Sequence, residues 1–255
     1  MILTIDIGNT QTVFAVYGKD GGQRDIWRRR TDTRAGADEI GVWLWTLLDW
    51  AGLAPEAVII GSVVPDATPG TVLACNRYLR IPAYVVGKDI KNYGIEIASE
   101  TPEQLGADRI VNAVAMVEEG CCPGIVLDFG TATTFDVLDS QGFYQGGVIA
   151  PGIRLSLDAL SQAAAQLPKL DIKPTEKVIG KNTQNAMESG IFWGYAGLIE
   201  GVVQRIADEL GVKPEVIATG GLAPLFSAHM ELISRSDPDL TLRGLYYLYK
   251  RNFNL

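Results

Sequence analysis

The two commonest phosphate-binding signatures are missing from this chain. It contains no GxxxxGK[ST] run and no GxGxxG run, which removes the usual strand-to-helix nucleotide loops. Long apolar stretches are missing too. No uninterrupted run approaches the ~20 residues that a membrane-spanning helix needs, and Asp49 and Pro55 break the most apolar region. The opening Met1-Ile2-Leu3-Thr4-Ile5-Asp6 carries no basic segment or cleavage site, so no signal peptide, no membrane partner and a cytoplasmic location are expected. Cysteine is scarce. Cys75, Cys121 and Cys122 form no CxxC pair, which fits neither a disulfide framework nor a zinc site and leaves reduced structural thiols. An excess of positive charge is also lacking. With 22 Lys and Arg against 30 Asp and Glu, the formal net charge is −8. Such a chain repels nucleic acid at long range, and no nucleic-acid partner is expected. Arg28-Arg29-Arg30 is too short to be a phosphate track. The single histidine, His229, belongs to no motif and reads as a surface helix residue.

What is present is a phrase that occurs twice. Ile5-Asp6-Ile7-Gly8-Asn9-Thr10-Gln11-Thr12 near the N-terminus and Leu127-Asp128-Phe129-Gly130-Thr131-Ala132-Thr133-Thr134 both read apolar-Asp-apolar-Gly-x-x-x-Thr. Each follows an apolar run short enough for a strand. Each can end one strand at an Asp, turn at a Gly and return on a strand lined with hydroxyls. Such a hairpin offers a carboxylate for a metal ion, and backbone N–H and hydroxyl donors for phosphate oxygens. Thr219-Gly220-Gly221 adds a glycine pair before an expected helix, a further place for an anion. Two copies of the phrase predict an internal duplication closing on one nucleotide. The 255 residues, 47% hydrophobic and 20% charged, suit two medium globular domains with ample core.

The apolar pattern predicts strands at Met1 to Ile5, Thr12 to Val16 and Gln23 to Arg29, with a turn at Gly18 to Gly22. A helix is expected over Thr33 to Trp50, where Ile40, Trp43, Leu44, Leu47 and Leu48 recur at helical spacing and the tryptophans read as core. Ala57 to Val64 reads as a buried parallel strand, Pro65 to Leu79 as a helix and Ala83 to Val86 as a strand. Thr101-Pro102-Glu103-Gln104 carries helix-start chemistry, predicting a helix to about Glu119. Its wheel sets Ala107, Val111, Val114 and Val117 against Leu105, Asp108, Arg109, Asn112 and Met116. The order then repeats, with strands at Ile125 to Phe129, Thr134 to Leu138 and Phe143 to Ile149, and a helix over Leu155 to Gln166. A long helix over Gln184 to Leu210 bears Gly190, Gly194, Gly197 and Gly201 as one bare stripe, suited to close approach of another helix or of a flat ligand. A strand at Glu215 to Ala218 and helices over Leu222 to Ile233 and Leu242 to Tyr249 complete the chain. The turn-rich patch Glu119 to Gly124 divides it into expected lobes 1–119 and 120–255.

The repeated hairpins resemble the nucleotide-binding fold of acetate and sugar kinases, actin and Hsp70. Asp6-Ile7-Gly8-Asn9-Thr10, Gly106-Ala107-Asp108-Arg109, Asp128-Phe129-Gly130-Thr131-Ala132-Thr133 and Gly147-Val148-Ile149-Ala150-Pro151-Gly152, in that order, resemble type III pantothenate kinase. The resemblance implies an α/β fold of two duplicated ribonuclease H-like lobes with mixed sheets and an interlobe nucleotide cleft. It implies ATP-dependent phosphorylation of pantothenate, the first step of coenzyme A synthesis, by a cytoplasmic homodimer that needs Mg²⁺ with its ATP and a monovalent cation, K⁺ or NH₄⁺. It carries ATP binding onto Asp6, Ile7, Gly8, Asn9, Thr10, Gln11, Thr12, Val13 and Thr131, with Thr10 and Thr12 as hydroxyl donors. Gly220 and Gly221 are expected to join them through their turn. Asp6 is expected to hold Mg²⁺ directly or through water, and Asp128 the monovalent cation. Asp108 matches the proton acceptor. Gly106, Ala107, Asp108, Arg109, Tyr93 and Thr183 match pantothenate contacts, Thr183 across the dimer interface. Two other readings stay open: a kinase of the same fold for another small hydroxylated substrate, and a non-catalytic nucleotide-binding accessory factor of transcription.

Overall fold

The computed structural model describes residues 1–98, 100–163 and 170–253. The chain forms two compact units, each built on a five-stranded mixed sheet. The first sheet comprises β1 (Ile2–Ile7), β2 (Gln11–Tyr17), β3 (Gln23–Arg30), β4 (Ala57–Ser62) and β5 (Ala83–Val85), in the order β3-β2-β1-β4-β5. β1, β2 and β3 pair antiparallel, whereas β4 runs parallel to β1 and β5. β4 is buried almost throughout, as its unbroken apolar run requires of a central parallel strand. Helices α1 (Ala37–Ala51) and α2 (Thr68–Ala74) cover one face, over a core of Leu3, Ile5, Ile7, Phe14 and Ile60. α3 (Ala107–Glu118) and the last helix, α7 (Leu240–Phe253), cover the other, over Ile2, Ala15, Ile59, Val111 and Leu245.

The second sheet repeats the plan. It comprises β6 (Gly124–Phe129), β7 (Ala132–Leu138), β8 (Tyr144–Pro151), β9 (Glu215–Gly220) and β10 (Arg235–Ser236), in the order β10-β9-β6-β7-β8. α4 (Ile153–Ala163), α5 (Thr183–Leu210) and the short α6 (Ala223–Ser227) belong to this unit; Leu157 of α4, Ile199 of α5 and Phe226 of α6 pack with Leu127 and Phe135 on one face of the sheet. The duplication reaches further than the repeated phrase. Both hairpins slip register at the same place, Val16/Tyr17 and Val137/Leu138. Both β2–β3 and β7–β8 connections close on a left-handed glycine, Gly21 at φ 82° and Gly142 at φ 81°.

Several expectations are corrected. The helix expected from Pro102 is a short 3-10 turn at Pro102–Gln104, followed by extended Leu105; α3 starts at Ala107 with Gly106 as its cap. α3 is not two-faced either, because Asn112 and Met116 are buried just as Val111 and Val114 are. α1 begins at Ala37 rather than Thr33. Only Trp43 of its three tryptophans joins the core, edge-on to Phe14, while Trp45 and Trp50 are exposed. The helix over Pro65 to Leu79 starts at Thr68 and widens at Cys75–Leu79. The helix over Leu222 to Ile233 shrinks to α6, and β10 follows it unforeseen. The expected helix over Leu155 to Gln166 is α4, and residues 164–166 lie outside the described residues. The segment from Asp239 through α7 belongs to the first unit, not to a lobe running from 120 to the C-terminus, because α7 buries Leu245 and Tyr246 in the first unit's core.

No described helix is long and apolar enough to cross a membrane. No disulfide joins Cys75, Cys121 or Cys122 among the described residues, and burial pushes the Cys75 thiol up to about 12, so it stays protonated and inert.

Candidate active site

In the first unit the chemistry gathers at the carboxyl ends of β1 and β4, where open α/β sheets present ligand sites. Asp6 stands one residue from the end of β1, paired with Val13 and Gly61 on either side. It alternates with Ile5 and Ile7, which face α1, so its carboxylate lies on the face that α3 and α7 cover. The turn that follows presents Asn9, Thr10 and Gln11 to solvent. The Gly8 N–H donates to the Gln11 carbonyl at 3.1 Å.

Thr12 departs from its expected use. Its side chain is buried, and its hydroxyl lies 2.9 Å from that of Thr31. Thr31 donates its one hydroxyl proton to the Gly8 carbonyl at 2.6 Å, so Thr12 must donate to Thr31. Its proton is committed inward, which leaves Thr10 as the exposed hydroxyl of the turn. Thr31, just past β3, was invisible to motif reading because the residues it serves lie about twenty positions upstream.

The loop after β4 links this turn to α3. The Val63 N–H donates to the Ile7 carbonyl at 3.1 Å. A Cβ on Gly106 would sit 3.7 Å from Val63 Cγ1 and only 2.5 Å from Asp108 Oδ1. Gly106 is therefore bare because the Asp108 carboxylate folds back over it. Asp108 is the second residue of α3, and its Oδ1 accepts the Arg109 N–H at 2.8 Å. Burial raises the Asp108 pKa above the usual aspartate value, against the opposing Arg109 N–H and guanidinium. A carboxylate held this way is a better proton acceptor than a solvated one. Asp6, Asp108 and Arg109 thus share one end and one side of the first sheet.

Tyr93 packs against the core that contains Ala107 of α3, and desolvation raises its hydroxyl pKa. Its loop is pinned by α7, another feature sequence reading missed. Arg251 Nη1 donates to the Tyr93 carbonyl at 3.2 Å and to the Gly94 carbonyl, while Nη2 reaches Glu118 of α3. Asn252 holds the Asn92 carbonyl at 2.9 Å.

In the second unit the corresponding turn is one residue shorter. Ile7 pairs with Thr12, leaving four residues between them, whereas Phe129 pairs with Thr133, leaving three. Thr133, not Thr134, is therefore the counterpart of Thr12. Thr134 instead stands opposite Asp128, and Thr219 flanks Asp128 on the other side, so three oxygen-bearing side chains line one row of the sheet. Gly220 has φ 86°, and a Cβ there would lie 2.6 Å from both Asp128 Oδ1 and the Phe129 carbonyl oxygen. The donor set, a carboxylate with hydroxyl and carbonyl oxygens around a bare Cα, suits a weakly hydrated monovalent cation. Gly152 occupies the place of Thr31, its Cα packed directly on the Thr131 carbonyl. Thr131 and Gly221 are exposed beside these turns. Thr183 stands exposed at the first position of α5, whose cap Asn182 accepts the Asn185 N–H at 2.8 Å. Among the described residues no cluster of three His, Cys, Asp or Glu could cage a metal. Asp6 alone fits Mg²⁺ that arrives on phosphates, since that ion takes one or two carboxylates and keeps its other ligands from water and substrate.

A family model described as type III pantothenate kinase matches residues 2–205. A type III pantothenate kinase of Rhodospirillum rubrum is 52% identical over 255 residues, covering 99% of each chain. That of Paramagnetospirillum magneticum is also 52% identical over 255 residues, covering 99% of this chain and 98% of its own. Among solved structures, a Campylobacter jejuni protein assigned to a Baf family of transcriptional activators superposes with TM-score 0.63 at 20% identity, over 99% of this chain and 100% of that one. An activator of 2-hydroxyisocaproyl-CoA dehydratase from Clostridium difficile, with bound ADPNP, superposes with TM-score 0.52 at 12% identity, over 99% and 96%. At such identities these two speak for the fold alone. With half its residues identical to named relatives along almost their whole length, the chain belongs to the type III pantothenate kinase family.

Proposed function

We propose that this chain transfers the γ-phosphoryl group of ATP to the primary hydroxyl of pantothenate, giving 4'-phosphopantothenate, the first step of coenzyme A synthesis. The observation that carries the reading is Asp108, a partly buried carboxylate of raised basicity at the start of α3, on the same side of the sheet as Asp6. In the reaction the hydroxyl oxygen bonds to the γ-phosphorus and the bond to the ADP oxygen breaks. Asp108 takes the hydroxyl proton. Most of the acceleration in such transfers comes from alignment and charge stabilisation rather than from covalent chemistry.

The turn spanning Asp6 to Val13 holds the phosphates through its amides and the Thr10 hydroxyl. Thr131 and the Gly220-Gly221 turn add ATP contacts. Asp6 orients Mg²⁺, which neutralises phosphate charge when bound, and Asp128 with its flanking Thr134 and Thr219 holds K⁺ or NH₄⁺. Arg109 takes the pantothenate carboxylate, for which a planar guanidinium is the matching donor. Gly106 and Ala107 let the substrate approach the backbone, and Tyr93 packs against it. The working form is a cytoplasmic homodimer in which Thr183 reaches the other copy's substrate. Gly190, Gly194 and Gly197 support this: they are exposed on α5, and a Cβ on any of them would meet nothing within 4 Å beyond the adjoining backbone of the helix itself, and such a bare face admits a second helix.

A coupled assay with Mg-ATP, pantothenate and either K⁺ or Na⁺ tests substrate, reaction and cation together. Turnover of pantothenate with K⁺ well above that with Na⁺ is expected. Turnover of a sugar and none of pantothenate would overturn the substrate, and indifference to the cation would overturn the role of Asp128.

A further inference from the structure

We propose that Thr31 is the positioning residue of the phosphate turn: by drawing the Gly8 and Thr10 carbonyls toward itself, it aims the Asn9 and Gln11 amides at the nucleotide's phosphates. The inference rests on the reading of the Asp6 to Val13 turn as the phosphate site.

The argument begins with how such a turn normally closes. In a tight hairpin, Gly8 and Gln11 would exchange two bonds, N–H to carbonyl in each direction. Here only one forms, from the Gly8 N–H to the Gln11 carbonyl at 3.1 Å. The Gly8 carbonyl is taken instead by the Thr31 hydroxyl at 2.6 Å, and the Thr10 carbonyl by the Thr31 N–H at 3.0 Å. Thr12 completes the clamp by donating to the Thr31 oxygen at 2.9 Å.

A trans peptide points its carbonyl and its N–H in opposite directions. Drawing the Gly8 carbonyl toward Thr31 therefore turns the Asn9 N–H away from it. Drawing the Thr10 carbonyl does the same for the Gln11 N–H. Two carbonyl dipoles that would repel an anion are tied back, and two donors are left over. The second turn has no equivalent hydroxyl, since Gly152 stands in the place of Thr31 and packs against the Thr131 carbonyl. The device therefore belongs to the first turn.

Thr31→Val removes the hydroxyl at constant shape and keeps the backbone bond to Thr10. Loss of one such buried hydrogen bond corresponds to roughly a 5- to 100-fold effect. We expect KM for ATP to rise by about ten-fold within that range, with kcat falling, KM for pantothenate within about two-fold, and Thr31→Ser restoring both ATP parameters. An unchanged KM for ATP in Thr31→Val would overturn the proposal. So would equal damage in the serine variant, which would assign the effect to shape. So would a parallel rise in both KM values. If the wild-type protein does not phosphorylate pantothenate, the proposed function falls, and Mg-ATP titration calorimetry of wild type against Thr31→Val still decides the role of Thr31. Should Thr31→Val not fold, hydrogen exchange of the wild type decides. The Thr31 amide is expected to be protected without nucleotide, and the Asn9 and Gln11 amides to gain protection on adding Mg-ADP. Asn9 and Gln11 amides indifferent to Mg-ADP would overturn it.

Discussion

Adding one methyl group at Gly220 tests the Asp128 turn most directly. Its backbone has φ 86°, a left-handed conformation that costs an L side chain about 1–2 kcal/mol. The added Cβ would also meet the Phe129 carbonyl oxygen and carbon at 2.6 and 2.8 Å, and Asp128 Oδ1 at 2.6 Å. The carboxylate can swing aside. The Phe129 backbone cannot, because β6 is held by β7 on one side and β9 on the other. Forcing a methyl into such a place costs a further ~1–3 kcal/mol. The sum is about 2–5 kcal/mol. At about 2–4 °C per kcal/mol for a chain of this size, Tm should fall on the order of 10 °C. Gly220→Ala should also lose its response to K⁺, because the relief available is displacement of Asp128. The neighbouring Gly221→Ala is the control. A Cβ there meets nothing within 4 Å and its φ lies outside the left-handed range, so Tm should move by no more than an exposed substitution does. Differential scanning calorimetry of both variants, with kinase assays across a K⁺ series, reads the result. Equal Tm values for the two variants, or an undiminished K⁺ response in Gly220→Ala, would refute the reasoning.

Asp108→Asn should fold and lose about 10²- to 10⁴-fold in kcat, the usual worth of a positioned base; turnover near wild type would remove Asp108 from the proton transfer. Because burial raises the Asp108 pKa, the native state binds its proton more tightly than the unfolded chain, so ionisation costs stability as pH rises through the folded value. Asp108→Asn should therefore melt at or above the wild-type temperature at neutral pH, with the gap closing as pH falls toward the unfolded value. The acid limb of kcat/KM should likewise lie above the ordinary aspartate range, and a limb within it would contradict the burial effect. Arg251→Ala removes two of the bonds by which α7 holds the Asn92-Tyr93-Gly94 loop, leaving that of Asn252, and should raise KM for pantothenate several-fold while leaving KM for ATP alone, since each side-chain-to-backbone bond is worth about 1 kcal/mol; a rise in KM for ATP instead would separate Tyr93 from the substrate.

The duplication was legible because an Asp followed by a turn glycine and hydroxyls is local chemistry, written within eight residues. The parallel strand β4 was legible because burial on both faces demands an unbroken apolar run. Helix starts were read less well. Thr101-Pro102 looked like a cap, yet extended Leu105 lets the chain turn again at Gly106, a boundary set by packing of Gly106 against Val63 and Asp108. The alignment of the two turns was off by one at Thr134, because residue counting cannot see that one turn closes over four residues and the other over three.

By itself the sequence determined the α/β class, the two hairpins, the Gly106-Ala107-Asp108-Arg109 run and hence the family, since each is encoded by neighbours along the chain. Only the tertiary structure decided which hydroxyls of the first turn are spent inward, that Thr31 holds that turn, that Thr134 and Thr219 flank Asp128, and that α7 returns to pin the Tyr93 loop. All of these depend on residues far apart in the chain that strand register and helix packing bring within hydrogen-bonding distance, and no local pattern records such a meeting.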